Sequence, residues 1–272
     1  MKLKVRGVTV NIRIWNEHLE QTIVMLHGFT GSVSTWNTVA QSLSDYRVVA
    51  IDLVGHGQTD SPKDIAAYTM DEQLLQLNEI FQQLKLHHFI LLGYSMGGRV
   101  ALAYATAFPR EISHLLLESA SPGLKSAQER AIRRSSDEGL AAIIEANGLE
   151  AFVDKWENIP LFATQKKLSL NAQQAIREER LSQSEIGLAN SLRGMGTGAQ
   201  SSLWSRLEEL KMPVTLITGE LDEKFCKIAE EMQALLQNAH NVTVKQAGHA
   251  IHVENPEQFA TIVKDAIKIK ES

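Results

Sequence analysis

Ser95 stands in Gly93-Tyr94-Ser95-Met96-Gly97, directly after the apolar run Phe89 to Leu92 and at the start of a helix-like stretch from Met96 to Phe108. That context is the G-x-S-x-G elbow, in which a sharp strand-to-helix turn presents a serine hydroxyl. Side chains at Gly93 or Gly97 would crowd such a turn, and the helix N-terminus favours negative charge developing beside Ser95. A serine alone is a poor nucleophile or proton relay, so a histidine and an orienting carboxylate must come from elsewhere.

The expected chain order is serine, acid, histidine. Asp222 follows the apolar run Val214 to Thr218, and His249 follows Val242 to Lys245 and Gly248, so both fall where loops leave strand C-termini. Glu220 and Glu223 compete with Asp222, but the tight turn at Gly219 places Asp222 better. His252 competes with His249 and reads as structural. His18, His87, His88, His114 and His240 read as surface residues.

Leu26-His27-Gly28-Phe29-Thr30-Gly31 follows the run Thr22 to Leu26 and supplies pliant backbone beside the site, with His27 bracing the loop. The backbone N–H groups of Phe29 and Met96 are the two candidate oxyanion donors, because the second donor of this architecture comes from the residue after the nucleophile. The glycine-rich Asp52-Leu53-Val54-Gly55-His56-Gly57 reads as packing.

Several elements must position these groups. Residues 3 to 15 alternate like an edge hairpin, and the short continuous runs Thr22 to Leu26, Arg47 to Ile51, Phe89 to Leu92 and Ile112 to Leu117 suit strands buried on both faces. Helix-like stretches at about Thr69 to Leu84 and Met96 to Phe108 lie between them, the alternation of a parallel sheet. From Ser121-Pro122-Gly123 to about Arg206 the strand signal vanishes and amphipathic helices follow, broken by Gly148, Pro160 and Gly194-x-Gly196-x-Gly198. Strand and helix then resume with Val214 to Thr218, a helix near Ile228 to Leu236, Val242 to Lys245 and a last helix from Pro256. The domains are an α/β core at 1–121 and 207–272 and a helical lid at 122–206.

Composition excludes several classes. The 272 residues are 44% hydrophobic and 22% charged, so the chain is globular rather than disordered or fibrous. A net charge of −5 favours neither nucleic acid nor an anionic membrane surface. The lid holds 11 basic and 10 acidic residues against 16 and 22 in the remainder, and seven of the twelve arginines are in the lid. Most lid arginines belong to solvated faces, and a few point inward. A single cysteine, Cys226, excludes an internal disulfide and fits a reducing cytoplasm. The first residues carry no export signal and no run is long enough to span a bilayer. The expectation is a cytoplasmic monomer or weak homo-oligomer with no membrane or nucleic-acid partner.

Taken together, elbow, acid, histidine and lid make the chain resemble the α/β-hydrolase fold superfamily over essentially its whole length. The resemblance implies an eight-stranded, mostly parallel sheet with a lid between strands six and seven. Gly93-Tyr94-Ser95-Met96-Gly97-Gly98-Arg99, Ser121-Pro122-Gly123-Leu124 and a lid with Arg133, Trp156 and Arg180 further resemble the 2-succinyl-6-hydroxy-2,4-cyclohexadiene-1-carboxylate synthase family of menaquinone biosynthesis. That likeness implies a lyase releasing pyruvate from a small tricarboxylate, with Arg99, Arg133 and Arg180 binding the anion and Tyr94 and Trp156 lining the pocket. Helical spacing alone leaves Arg130, Arg133 and Arg134 open as the inward-facing residue, and the family pattern selects Arg133. Guanidinium forks suit carboxylates, which a neutral ester substrate would leave unexplained. The implied chemistry uses Ser95, Asp222 and His249 as a base and needs no cofactor or metal. A serine hydrolase of small carboxylate-bearing esters or C–C diketones is the alternative, and a noncatalytic receptor on this fold is a third.

Overall fold

The computed structural model describes residues 1–268. One eight-stranded sheet runs in the order β1-β2-β4-β3-β5-β6-β7-β8, built from β1 (Lys2–Val5), β2 (Val8–Trp15), β3 (Thr22–Leu26), β4 (Arg47–Ile51), β5 (Phe89–Tyr94), β6 (Ile112–Glu118), β7 (Val214–Gly219) and β8 (Ala239–Val244). The β1/β2 hairpin and the β2/β4 pair are antiparallel, and every later pair is parallel. All residues of β3, β5 and β7 are buried, as their unbroken apolar runs require once helices cover both faces.

On one face, α2 (Met70–Gln83), α3 (Met96–Ala107) and α7 (Glu223–Gln233) pack over Val24, Leu91 and Leu115. On the other, α1 (Asn37–Ser42), the short α8 (Ile251–Glu254) and α9 (Pro256–Lys268) pack over Ile23, Ile90 and Leu116. The register Ile23↔Ile90 and Val24↔Leu91 keeps the two sets of side chains on their own faces.

Between β6 and β7 the chain leaves the sheet and forms α4 (Ala127–Trp156), a 3-10 segment Pro160–Lys167, α5 (Leu170–Leu181) and α6 (Glu185–Met195). Ser126 and Glu129 cap α4 reciprocally, and α4 breaks its direction at Gly148, where φ is 79°. These helices have their own small core of Ala141, Ile144, Phe152, Val153, Leu188 and Leu192, with Phe29 and Trp156 packed against it.

Four details differ from the sequence expectations. α7 begins at Glu223 rather than near Ile228, because Asp222 caps it through its side chain. β8 begins at Ala239, three residues early; an edge strand is wetted on one side, so Ala239-His240-Asn241 pairs with β7 without an apolar run. His114, expected at the surface, is buried on β6 with Nε2 2.9 Å from the Thr215 hydroxyl on β7. The six-residue α1 carries too few turns to show a period and was not anticipated.

Candidate active site

Ser95 lies between β5 and α3 with φ 51° and ψ −104°, a conformation rare for a residue with a side chain. Its neighbours explain how the turn closes. A Cβ on Gly93 would fall on the Gly97 carbonyl, and one on Gly97 would fall on the carbonyl oxygens of Leu26 and His27. The Ser95 N–H donates to the Glu118 carbonyl at the end of β6, 2.9 Å away, which anchors the elbow to the next strand.

His249, in the loop after β8, reaches Ser95 from above. Its Nε2 is 3.0 Å from the Ser95 hydroxyl oxygen and its Nδ1 is 2.6 Å from Asp222 Oδ2. With Nδ1–H donating to the carboxylate, Nε2 is left to accept the serine proton. Asp222 also accepts from the Phe225 N–H at 3.4 Å, so one carboxylate caps α7 and orients the histidine. The rivals fall away: Glu220 accepts from the Gln246 N–H at the sheet edge, and Glu223 is the exposed first residue of α7. His252 turns toward the interior and bonds Glu118.

Phe29 follows β3 and Met96 opens α3, whose first-turn amides have no intrahelical acceptor. Both residues line the cavity over Ser95. Gly28 keeps the Phe29 loop close to the elbow, since a Cβ there would stand 2.5 Å from the Tyr94 ring. His27 braces this loop: its Nδ1 is 2.8 Å from the Gly28 carbonyl and its Nε2 accepts from the Leu53 N–H at 3.0 Å. Burial lowers the His27 pKa, which keeps the ring neutral in this bracing role.

The cavity holds about 150 Å³ and its lining includes Phe29, Tyr94, Ser95, Met96, Arg99, Arg133, Trp156 and His249, with Phe162, Ser191, Thr197 and Lys224 also on its walls. Trp156 stacks on Phe152, stands edge-on to Phe29, and has a buried indole N–H with no hydrogen-bond partner among the described residues. Arg99 is buried beneath α6, with Nη1 donating to the Met195 carbonyl at 2.9 Å and to Gln200 Oε1 at 2.7 Å. Burial, then the charge of Arg133, pulls its pKa down to about 10, so it remains cationic at neutral pH. Arg133 is half exposed, and its Nε donates to buried Asp137 at 2.7 Å. Arg130 instead bonds the carbonyls of Leu124 and Lys125, and Arg134 bonds the Gly198 carbonyl. Of the three candidates on this helix, Arg133 faces the cavity.

Arg180 sits differently from the single pocket expected. It lines an adjoining cavity of about 50 Å³ with Tyr94, Glu179 and His252, and Phe29, Tyr94 and Phe162 line both cavities. The guanidinium lies 4.7 Å over the Phe162 ring and is drawn to its face. Lys224, Ser191 and Thr197 escaped sequence reasoning because no spacing rule joins them to the elbow. Lys224 alone had a signal, its place beside Asp222.

Comparison with known proteins fits this geometry. A family model described as alpha/beta hydrolase fold matches residues 21–256, and the chain belongs to that family. A Bacillus subtilis (strain 168) protein assigned as 2-succinyl-6-hydroxy-2,4-cyclohexadiene-1-carboxylate synthase is 48% identical over 95% of this chain and 94% of its own. A Klebsiella pneumoniae synthase of the same name is 33% identical over 86% of this chain and 88% of its own. The solved structure of MenH from S. aureus superposes with a TM-score of 0.92 at 39% identity, covering 97% of this chain and 99% of that one. Within the hydrolase fold, the chain therefore belongs to the family of 2-succinyl-6-hydroxy-2,4-cyclohexadiene-1-carboxylate synthases. An enol-lactonase from Burkholderia xenovorans LB400, at 21% identity and a TM-score of 0.85, shares the fold.

Proposed function

We propose that this protein is a lyase of menaquinone biosynthesis that eliminates pyruvate from 2-succinyl-5-enolpyruvyl-6-hydroxy-3-cyclohexene-1-carboxylate, giving 2-succinyl-6-hydroxy-2,4-cyclohexadiene-1-carboxylate. The observation that carries this reading is a buried cation beside the triad. Arg99 has no carboxylate in ion-pair contact among the described residues, yet lines the cavity over Ser95 together with Arg133. A buried guanidinium without an anion costs several kcal/mol by general estimates, and a ligand carboxylate offsets that cost. A neutral substrate would not.

In this reading Ser95, Asp222 and His249 act as one base. His249, oriented by Asp222, draws the Ser95 proton, and the serine oxygen removes the ring proton from the carbon bearing the succinyl group. The released pair forms the C2–C3 double bond, the C3–C4 pair moves to C4–C5, and the C5–oxygen bond breaks. Enolpyruvate leaves with that oxygen, takes a proton and becomes pyruvate. No oxidant or reductant enters the balance, so no cofactor is implied. The succinyl carbonyl gains charge during proton removal, and the N–H groups of Phe29 and Met96 would receive it. Arg99, Arg133 and Arg180 would fix the carboxylates, with Tyr94 and Trp156 shaping the pocket around them.

Residues 122–206 serve as the lid that supplies Arg133, Trp156 and Arg180 and excludes water. No helix among the described residues is long and apolar enough to cross a membrane. A cytoplasmic monomer or weak homo-oligomer acting on a free polycarboxylate, without nucleic acid, suits the acidic charge and the single cysteine.

A second reading keeps the triad and changes the chemistry. The Ser95–His249 contact at 3.0 Å also suits acyl transfer, so a hydrolase of small carboxylate-bearing esters or C–C diketones would use the same residues. Pyruvate release from freshly generated substrate, run beside a panel of acyl esters, separates the two. Fast pyruvate release with negligible ester cleavage is expected; robust ester turnover with no pyruvate would move the function to the hydrolase.

A further inference from the structure

Six arginines of this protein form a contrast by what holds them. Arg6, Arg177, Arg193 and Arg206 pair with carboxylates: Glu72, then Asp154 and Glu157, then Glu138 and Glu145, then Glu209. None of the four is buried. Arg99 and Arg180 are buried, and each is held by a glutamine instead: Gln200 Oε1 accepts from Arg99 Nη1 at 2.7 Å, and Gln165 Oε1 accepts from Arg180 Nη2 at 2.9 Å. Both glutamines are themselves buried. Elementary electrostatics would favour the reverse arrangement, since an unpaired charge is penalised most where it is buried.

We propose that Gln165 and Gln200 are positioning residues for the reaction above, holding the Arg180 and Arg99 forks through neutral oxygens so that both charges stay available to carboxylates of the ligand. The inference rests on the polycarboxylate reading and adds to it the residues that set the charge of the site.

The local structure supports the role. Phe162 and Gln165 both belong to the Pro160–Lys167 segment, which supplies the ring beneath Arg180 and the oxygen that bonds it. Gln200 follows the glycine turn after α6. That turn presses on α4 so closely that a Cβ on Gly198 would fall on the Arg134 backbone nitrogen. Asp137 accepts from the Gly198 N–H at 3.4 Å through one oxygen and from Arg133 through the other, which ties the Gln200 turn to the second cavity arginine. Setting Gln200 Oε1 on Arg99 leaves its own Nε2 buried without a hydrogen-bond partner among the described residues. Burial lowers the Arg180 pKa as it does that of Arg99, consistent with cations that lack an anion of their own.

Glutamate has the shape of glutamine and adds the missing charge. Gln200→Glu and Gln165→Glu should each raise KM for the substrate on the order of 10- to 100-fold, because a carboxylate of the chain then competes with one of the ligand. Their kcat should stay within about threefold, since the lost interaction is made equally in ground and transition states. Without ligand, Gln200→Glu should melt no lower than wild type, and Gln200→Met, which removes the acceptor and adds no charge, should give a smaller rise in KM than the glutamate. Unchanged KM in both glutamate variants, or a lower ligand-free melting temperature with KM and kcat failing together, would overturn the proposal. The ligand-free melt also separates the two claims: wild type releasing no pyruvate would end the lyase reading, while a raised melting temperature in Gln200→Glu would still show an unpaired guanidinium.

Discussion

His249 and His252 lie three residues apart, and each is held through Nδ1 by a buried carboxylate, Asp222 at 2.6 Å and Glu118 at 2.9 Å. What differs is the other ring nitrogen. His249 Nε2 meets the Ser95 hydroxyl, whereas His252 Nε2 is buried without a hydrogen-bond partner among the described residues, in a ring wedged 4.5 Å from both Trp36 and Tyr94. A histidine–carboxylate pair therefore defines no chemistry by itself. In the proposed mechanism the couple whose Nε2 meets a hydroxyl serves as the base, and the couple packed among aromatic rings serves as a brace. The brace still serves the site: Glu118 receives the His252 backbone N–H through its side chain and the Ser95 N–H through its carbonyl, so it links the α8 segment to the elbow.

Substitutions that separate the two pairs should differ in kind. The largest effect is expected for Ser95→Ala, which removes the hydroxyl that the proposed mechanism uses as the base and should lower kcat for pyruvate release by about 10³- to 10⁴-fold with little change in melting temperature. Asp222→Asn comes next: it keeps the shape but favours the wrong His249 tautomer, and a loss of about 10²- to 10⁴-fold in kcat is expected. A loss under about tenfold in steady-state assays would show that Asp222 only caps α7.

Glu118→Gln should act on stability instead. Weakening a buried pair is expected to cost about 1–3 kcal/mol in chemical denaturation while kcat per folded molecule stays within about threefold. A collapse of kcat in folded protein would give the brace a direct part in the chemistry. A separate effect, on pH dependence alone, concerns His56, whose pKa burial and then His27 lower to about 3. Because the unfolded ring takes up a proton near pH 6.5 and the folded one does not, stability is retained above that pH and falls as pH drops below it toward 3. His56→Gln should flatten that part of the denaturation profile, and an unchanged slope would place the acid sensitivity elsewhere.

Much of this arrangement was legible in the sequence, for identifiable reasons. Phe89 to Leu92 leading into Gly-Tyr-Ser-Met-Gly marks both a buried strand and the elbow, because the same small residues that let the turn close also expose the serine. Asp222 and His249 follow from their places after β7 and β8. The burial of His114 was not legible, since its partner Thr215 lies 101 residues away and the intervening lid hides that the two strands adjoin. Nor was the place of Arg180 in a cavity adjoining the one over Ser95. Gln165 and Gln200 carried no motif at all; their meaning appears only once the arginines they hold are seen to lack carboxylates.

The most direct test of the account compares single-turnover pyruvate release by His249→Gln and His252→Gln at equal concentrations of folded protein. His249→Gln should fall by about 10³-fold, and His252→Gln should remain within about threefold of wild type. Near-normal release by the first variant, or an equal collapse in both, would contradict the assignment of the base to His249.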